Sequence, residues 1–370
     1  MKTRTPYIKI WQDLVSDKSM IFLMQNPFFF EAIERQDSSI PLIILDEIHK
    51  YRDWKNYLKG VYDQFHDKYQ FLVSGSGRLD LYQKGGDSLA GRYFLFHLWP
   101  FTISELGKRN REIGLFLNDP LQIAMEYADE LKEIWSRLSE LSGFPEPYLS
   151  GRMTTYRRWS NIYSHQLIRE DIRDLTGVKS VVDMETLYLL LPSKVGSPIS
   201  TPSLARDLKV SYNSVQSWLS VFERFFLSFS IGPWTRRIAR AIQKGRKVYL
   251  WDTPRIKERA ARFENMVALE LCRAVAAWND MGHGRFSMHF IKNKEQQEVD
   301  FLIANEGEPI VLVEAKLSDT EPSPALRKFQ GVLKKPAIQL VEESKGYRMI
   351  PNGDQHILIA PAYQWLSSLP

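Results

Sequence analysis

Two groups of acidic side chains have a spacing that could do chemistry on phosphate esters. The first is Asp46-Glu47, which follows Leu42-Ile43-Ile44-Leu45 directly and runs on into Ile48-His49-Lys50. Four consecutive apolar residues predict a strand covered on both faces, so the two carboxylates fall at its carboxyl edge, where open α/β sheets bind their ligands. There Asp46 can hold Mg²⁺ and Glu47 can orient an attacking water, because phosphoryl transfer depends on metal positioning and charge stabilisation. The second group is Asp300 with Glu314-Ala315-Lys316. Alternation along a strand puts Glu314 and Lys316 on one face, and packed beside Asp300 they would gather two carboxylates and an ammonium around one point. Such a group can hold Mg²⁺ and poise a water against a phosphodiester.

Each group needs a scaffold, and the flanking pattern supplies one. Trp54, Tyr57, Leu58, Val61, Tyr62 and Phe65 repeat at helical spacing, and Phe71-Leu72-Val73 then predicts a second strand ending in Ser74-Gly75-Ser76. The result is a strand-helix-strand unit with a polar tip. Gly75-Ser76-Gly77 lacks the third glycine of a dinucleotide-binding turn, and that reading is set aside. In the second group, Phe263-Glu264-Asn265 opens an amphipathic helix with Val267, Leu271, Ala274, Val275 and Trp278 inward. The strands 298–303 and 310–316 follow, joined by a turn over 305–309.

Between them lies a helical stretch. Asp119 and Pro120 read as the cap and first turn of a helix with Leu121, Ala124, Tyr127, Leu131, Trp135 and Leu138 on one stripe, stopped by Gly143 and Pro145. A second helix spans 156–175, and its charged run 169–174 reads as a solvated face or as interhelical salt bridges. Ser200 or Thr201 then caps a short helix with Leu204, Ala205 and Leu208 inward. Ser211 caps another with Val215, Trp218, Leu219 and Phe222 inward. This is a helix-turn-helix pattern whose outward residues are Tyr212, Asn213, Gln216 and Ser217. Behind it come Arg236, Arg237, Arg240, Lys244, Arg246 and Lys247, six cations in twelve residues, and then the strand Val248-Tyr249-Leu250. They predict a basic wing lying along DNA phosphates.

Asp87-Ser88-Leu89-Ala90-Gly91-Arg92, Leu98-Trp99-Pro100-Phe101 and Glu105, taken with the Asp46-Glu47-Ile48 and Ser74-Gly75-Ser76 phrases, occur in a telling order. So do Gly143-Phe144-Pro145-Glu146 and the Lys247-Val248-Tyr249 strand ending at Asp252. In this the chain resembles prokaryotic AAA-type P-loop ATPases that carry an uncharacterised C-terminal region. The resemblance implies that Asp46-Glu47 is a Walker B element, that Ser74 or Ser76 is the sensor beside the terminal phosphate, and that Arg92 senses the phosphate, in trans if the chain oligomerises. It implies ATP with Mg²⁺ as cofactor. The family's GxxxxGK[ST] loop, which wraps the phosphates, occurs nowhere in the 370 residues. Tyr7-Ile8-Lys9-Ile10 resembles the family's second strand, so the loop is expected upstream of Met1 or lost, and this chain alone is expected to turn over ATP weakly or not at all.

The Asp300, Glu314-x-Lys316 arrangement resembles the PD-(D/E)XK nuclease superfamily. That resemblance gives Mg²⁺ to Asp300 and Glu314, a catalytic role to Lys316, the helical acidic position to Glu264 and a later polar contribution to Gln330.

The expected fold class is therefore α/β throughout. It comprises a partial P-loop NTPase parallel sheet over 1–107, a helical and winged-helix region over 108–255, and a restriction-endonuclease-like domain over 256–370. Length and an apolar content of 44% support several packed cores and exclude global disorder. The net charge of +5 favours a polyanionic partner such as DNA. The single Cys272 excludes an internal disulfide and a cysteine zinc cluster. The longest apolar region, 20–30, is broken by Gln25, Asn26 and Pro27, so no membrane span is expected and a cytoplasmic location is the default. Three functions fit: an AAA-type ATPase relative with a DNA-associated C-terminal region, a Mg²⁺-dependent DNA endonuclease with a scaffold N-terminus, and a non-catalytic DNA- or protein-binding regulator.

Overall fold

The structure is a computed structural model that describes residues 25–32, 38–48, 51, 53–75, 89, 91–109, 111–123, 128–172, 180–235, 245–318, 321–343 and 346–370. It divides into two compact units, Met1–Phe94 and Leu95–Pro370.

In the first unit, β1 (Leu42–Leu45) and β2 (Gln70–Val73) pair in parallel from Leu42↔Gln70 to Leu45↔Val73. Parallel neighbours need a crossover, and α1 (Trp54–Phe65) provides it. Its Trp54, Val61 and Phe65 pack on Ile43, Leu45, Ile48, Phe30 and Tyr69. The helical spacing was legible, but the cover on both faces was not borne out. Ile43 and Leu45 are buried, whereas Ile44 is 43% and Leu72 51% exposed, so one face of this pair is open to solvent.

The second unit begins with short helices. α2 (Ile103–Leu106) starts in a capping box between Thr102 and Glu105, which accounts locally for the acidic residue four places after Phe101. α3 (Ile113–Asn118) ends at Asp119, so Asp119 and Pro120 close a helix instead of opening one. Asp119 instead accepts the Leu121 amide in a turn. The long apolar stripe is described from α4 (Ala128–Leu141), with Leu131, Trp135, Leu138 and Leu141 buried. Then come α5 (Pro145–Ser150), α6 (Met153–Gln166, continued by a wider turn over Leu167–Ile172) and α7 (Val181–Leu190). Arg169 makes a bidentate pair with Glu185 on α7, an interhelical bridge, which is one of the two readings of that charged run.

α8 (Thr201–Leu208) and α9 (Tyr212–Arg224) are capped by Ser200 and Ser211 as the pattern predicted. Val215, Trp218 and Phe222 are buried, while Tyr212, Asn213, Gln216 and Ser217 face solvent. The chain then enters β3 (Ser228–Pro233), paired antiparallel with β4 (Lys247–Leu250).

α10 (Arg259–Asp280) is capped by Glu258 and begins four residues before the expected start. It is followed by β5 (Phe286–Lys292), β6 (Glu298–Asn305) and β7 (Glu308–Lys316). The chain closes with α11 (Pro324–Leu333), β8 (Ala337–Val341), β9 (Arg348–Asn352), β10 (Gln355–Pro361) and α12 (Ala362–Leu366). The strands form one mixed sheet in the order β4-β3-β5-β6-β7-β8-β10-β9. Residues on both sides of position 255 thus share a sheet, and the β3–β4 hairpin is its edge. Among the described residues no helix is long and apolar enough to cross a membrane.

Candidate functional site

At the carboxyl edge of β1 the backbone turns sharply. Glu47 adopts φ of 53°, a left-handed conformation that non-glycine residues rarely take. The turn leaves Asp46 over the end of β2, where the Ser74 hydroxyl donates to its carboxylate. The Ser74 amide donates to the Leu45 carbonyl at 3.0 Å, so the parallel ladder itself carries the serine into place. The two residues expected to handle metal and phosphate therefore meet at one edge. Ser76, the other sensor candidate, lies outside the described residues.

Arg92 is held elsewhere. Its guanidinium makes a two-pronged pair with Asp63 on α1, at 2.7 and 3.3 Å. This hydrogen bond keeps the Asp63 carboxyl below its ordinary range. Arg92 is thus tied to the crossover helix in this conformation.

The donor set at Asp46 suits magnesium. A carboxylate and a hydroxyl are hard oxygen ligands, and Mg²⁺ commonly takes only one or two protein carboxylates, leaving its remaining positions to phosphates and water.

The second cluster is built by α10, β4 and β6. Three successive residues of α10 divide the work. Phe263 is buried in the core, and Asn265 clamps the edge strand β4 by accepting from the Leu250 amide at 2.7 Å and donating to the Leu250 carbonyl at 2.9 Å. Glu264 between them meets Tyr249, whose hydroxyl donates to its carboxylate at 2.8 Å. On β6, Val299 faces the apolar layer under α11, so alternation turns Glu298 and Asp300 to the opposite side.

All three acids converge on Lys247. Its ammonium lies 2.6 Å from Glu298, 3.3 Å from Glu264 and 3.6 Å from Asp300, and the side chain is only 1% exposed. Burial alone would lower this ammonium, but Glu264, Asp300 and Glu298 together outweigh it and hold it above its ordinary value. Burial and the Asp300 charge push Glu264 up to about 7. Burial, followed by the charges of Glu264 and Asp300, raises the Tyr249 hydroxyl well above its ordinary value.

The expected role of Lys247 is therefore corrected. It does not lie along a solvent-facing wing. Arg246, its neighbour, donates to the Ser230 side chain at 2.6 Å and the Ser230 carbonyl at 2.9 Å across the hairpin, while remaining exposed. Arg236, Arg237, Arg240 and Lys244 lie outside the described residues.

The expected metal pair fares differently from the pattern. Asp300 gives one carboxylate oxygen to Lys247 and accepts the Ala315 amide at 3.0 Å with the other. Glu314 takes the Lys316 ammonium at 3.0 Å on one oxygen and the Ser323 hydroxyl on the other. Burial raises the Glu314 carboxyl, against the opposing Ser323 hydrogen bond. Among the described residues no group of three His, Cys, Asp or Glu side chains is arranged to hold a metal ion. The carboxylates as placed do not fit one. Gln330 is absent from this group too: it is fully buried, donates to the His356 carbonyl at 2.9 Å and accepts from Asn352.

Glu298 was missed from sequence, although its two-residue spacing from Asp300 places it on the same face. Gly196 was missed as well. It sits at φ of 77°, and a Cβ there would lie 2.7 Å from a Glu264 carboxylate oxygen, so the loop before α8 backs that acid closely.

Residues 7–107 match the family described as an AAA domain. Residues 132–254 and 260–363 match two domains of unknown function, DUF8612 and DUF4143. The AAA and DUF4143 matches support kinship with an AAA-type ATPase-like family. The chain is similar to uncharacterized protein MJ1544 of Methanocaldococcus jannaschii, 21% identical over 87% of this chain and 74% of that protein. It is also similar to uncharacterized protein Rv2008c of Mycobacterium tuberculosis, 22% identical over 72% of this chain, and to MJ1637 of M. jannaschii, 26% identical over 58%. It spans 57% and 47% of those two relatives. No solved structure matches.

Proposed function

We propose that the first unit is the water- and metal-handling edge of an AAA-type ATPase, joined to a C-terminal region that associates with DNA and does not cut it. The observation that carries the first half is the Ser74 to Asp46 hydrogen bond at the carboxyl end of a parallel strand pair. In this reading Asp46 and Ser74 hold Mg²⁺, which supplies charge neutralisation to the phosphates when bound. Glu47, set one residue further by its left-handed turn, orients the water and accepts its proton. Ser74 fixes the rotamer of Asp46 by donating its one hydroxyl proton to that carboxylate.

The DNA half is supported by the order α8, α9, β3, β4, a helix-turn-helix followed by a hairpin, with four polar residues of α9 free to meet base edges. The carboxylate set around Lys247 argues against the endonuclease reading. Retained nucleotide and ATP turnover, measured with Glu47→Gln beside its parent in the chain joined to a strand-GxxxxGK[ST]-helix segment, test the first half. Loss of turnover with tighter ATP retention supports it, and turnover unaffected by the substitution rejects it. The salt dependence of duplex DNA binding tests the second half. Reversing charge at Arg236, Arg237 and Arg240 should flatten it, and an unchanged slope rejects the wing contact.

A further inference from the structure

The lysine-centred cluster bears on what this region can bind. Its ingredients are those of a divalent-cation site: three carboxylates from α10 and the interior strand β6, converging on one point. The point is taken by a side chain. We propose that Lys247 is the resident cation of this cluster, occupying the place of a divalent ion, so that the C-terminal sheet excludes metal and cannot carry metal-dependent hydrolysis.

The geometry excludes an ion in three ways. Mg²⁺ and Mn²⁺ need several oxygens close around one centre, at about 2.0–2.1 Å for Mg²⁺. Here the oxygens face an ammonium at 2.6 to 3.6 Å, and an ion entering beside it would meet like charge in a buried setting. Most of the carboxylate oxygens are already committed, and the second Glu264 oxygen is backed by Gly196. Glu298 takes Lys292 at 3.2 Å, Asp300 takes the Ala315 amide, and the Glu264 oxygen nearest Lys247 also takes the Tyr249 hydroxyl. Finally, Lys247 cannot swing aside into solvent without crossing its surroundings, since it is nearly fully buried and its ammonium lies 5.6 Å from the Phe290 ring. The inference does not depend on the nucleotide reading of the first unit.

The test is Mn²⁺ binding by the full chain at pH 8 without nucleotide, followed by electron paramagnetic resonance. The unaltered protein should hold no Mn²⁺ that is lost on Asp300→Asn. Lys247→Met should gain a site at least roughly tenfold tighter than any in the parent, and adding Asp300→Asn should remove it. Should Lys247→Met alone fail to fold, the charge-balanced Lys247→Met/Glu298→Gln variant keeps Glu264 and Asp300 for the ion and is read the same way. Mn²⁺ bound by the unaltered chain and lost on Asp300→Asn overturns the proposal, as does a folded Lys247→Met or double variant that gains no ion.

Discussion

The Ser74 hydroxyl donates to the Asp46 carboxylate across 28 residues of chain, and it does so because β1 and β2 are parallel neighbours with their carboxyl ends level. That one contact brings two weak sequence signals together at one edge. An apolar run ending in acids is common, and so is a strand ending in serine, but a parallel ladder that brings the two tips together is the arrangement phosphate chemistry requires.

The pH dependence of stability follows from Glu264. Its carboxyl is raised to about 7 in the folded chain by burial and the Asp300 charge, above the ordinary 4.5. The folded state therefore binds more protons than the unfolded state between these values, and its stabilisation is fully present below the lower one and lost as pH rises through the higher. Thermal unfolding should shift to lower temperature between pH 5 and 8, with at most about 3 kcal/mol involved. Glu264→Gln should flatten the profile. An unchanged pH slope in that variant would remove Glu264 as the cause.

The buried Glu270 and Arg273 pair secures the start of the second unit. Arg273 donates to the Pro100 carbonyl at 2.9 Å and the Phe101 carbonyl at 2.6 Å, while Glu270 pairs with Arg273 and accepts the Ile103 amide at 3.4 Å. Glu270→Ala leaves a buried guanidinium without its carboxylate, and about 3–5 kcal/mol of stability should be lost. Urea unfolding measures it. A change below about 1 kcal/mol, the range of exposed pairs, would show that the pair is not buried in solution.

Gly196 should tolerate no side chain. Alanine would strain a φ of 77° and press a Cβ against the Glu264 carboxylate. Gly196→Ala is expected to lower stability by about 1–3 kcal/mol. It should also alter the pH profile assigned to Glu264. An alanine variant identical to the parent in both respects would place the loop away from the acid.

Much of this was readable in the chain, and the failures share a cause. Periodicity located α1, the α8–α9 pair and β6–β7, since those patterns depend on neighbours within a few residues. Counting cations in 236–247 misplaced Lys247, because its environment is set by Glu298 and Asp300 more than fifty residues away and by the joining of β4 to a sheet. The pattern of Asp300 and Glu314-x-Lys316 was legible, but their partners were not: the Ala315 amide comes from the neighbouring strand β7 and the Ser323 hydroxyl from the N-cap of α11. Ile44 reads as core in sequence, yet with two described strands in the pair its face stays exposed.

Purified protein incubated with supercoiled plasmid and Mg²⁺ should produce no nicked product. Lys316→Ala should change nothing in that assay, since Lys316 serves Glu314 at 3.0 Å and, among the described residues, no group of three acidic, His or Cys side chains is arranged to hold a metal ion. Mg²⁺-dependent nicking abolished by Lys316→Ala would restore the endonuclease reading.

The most direct measurement is ATP turnover. It should be made on residues 1–370 and on the same chain extended by a strand-GxxxxGK[ST]-helix segment. The expected result is background turnover by residues 1–370, clear turnover by the extended chain, and a roughly hundredfold or greater loss when Glu47 is replaced by Gln in it. Turnover in the extended chain that survives Glu47→Gln, or none at all, would contradict a phosphate-handling role for the Asp46 and Ser74 edge.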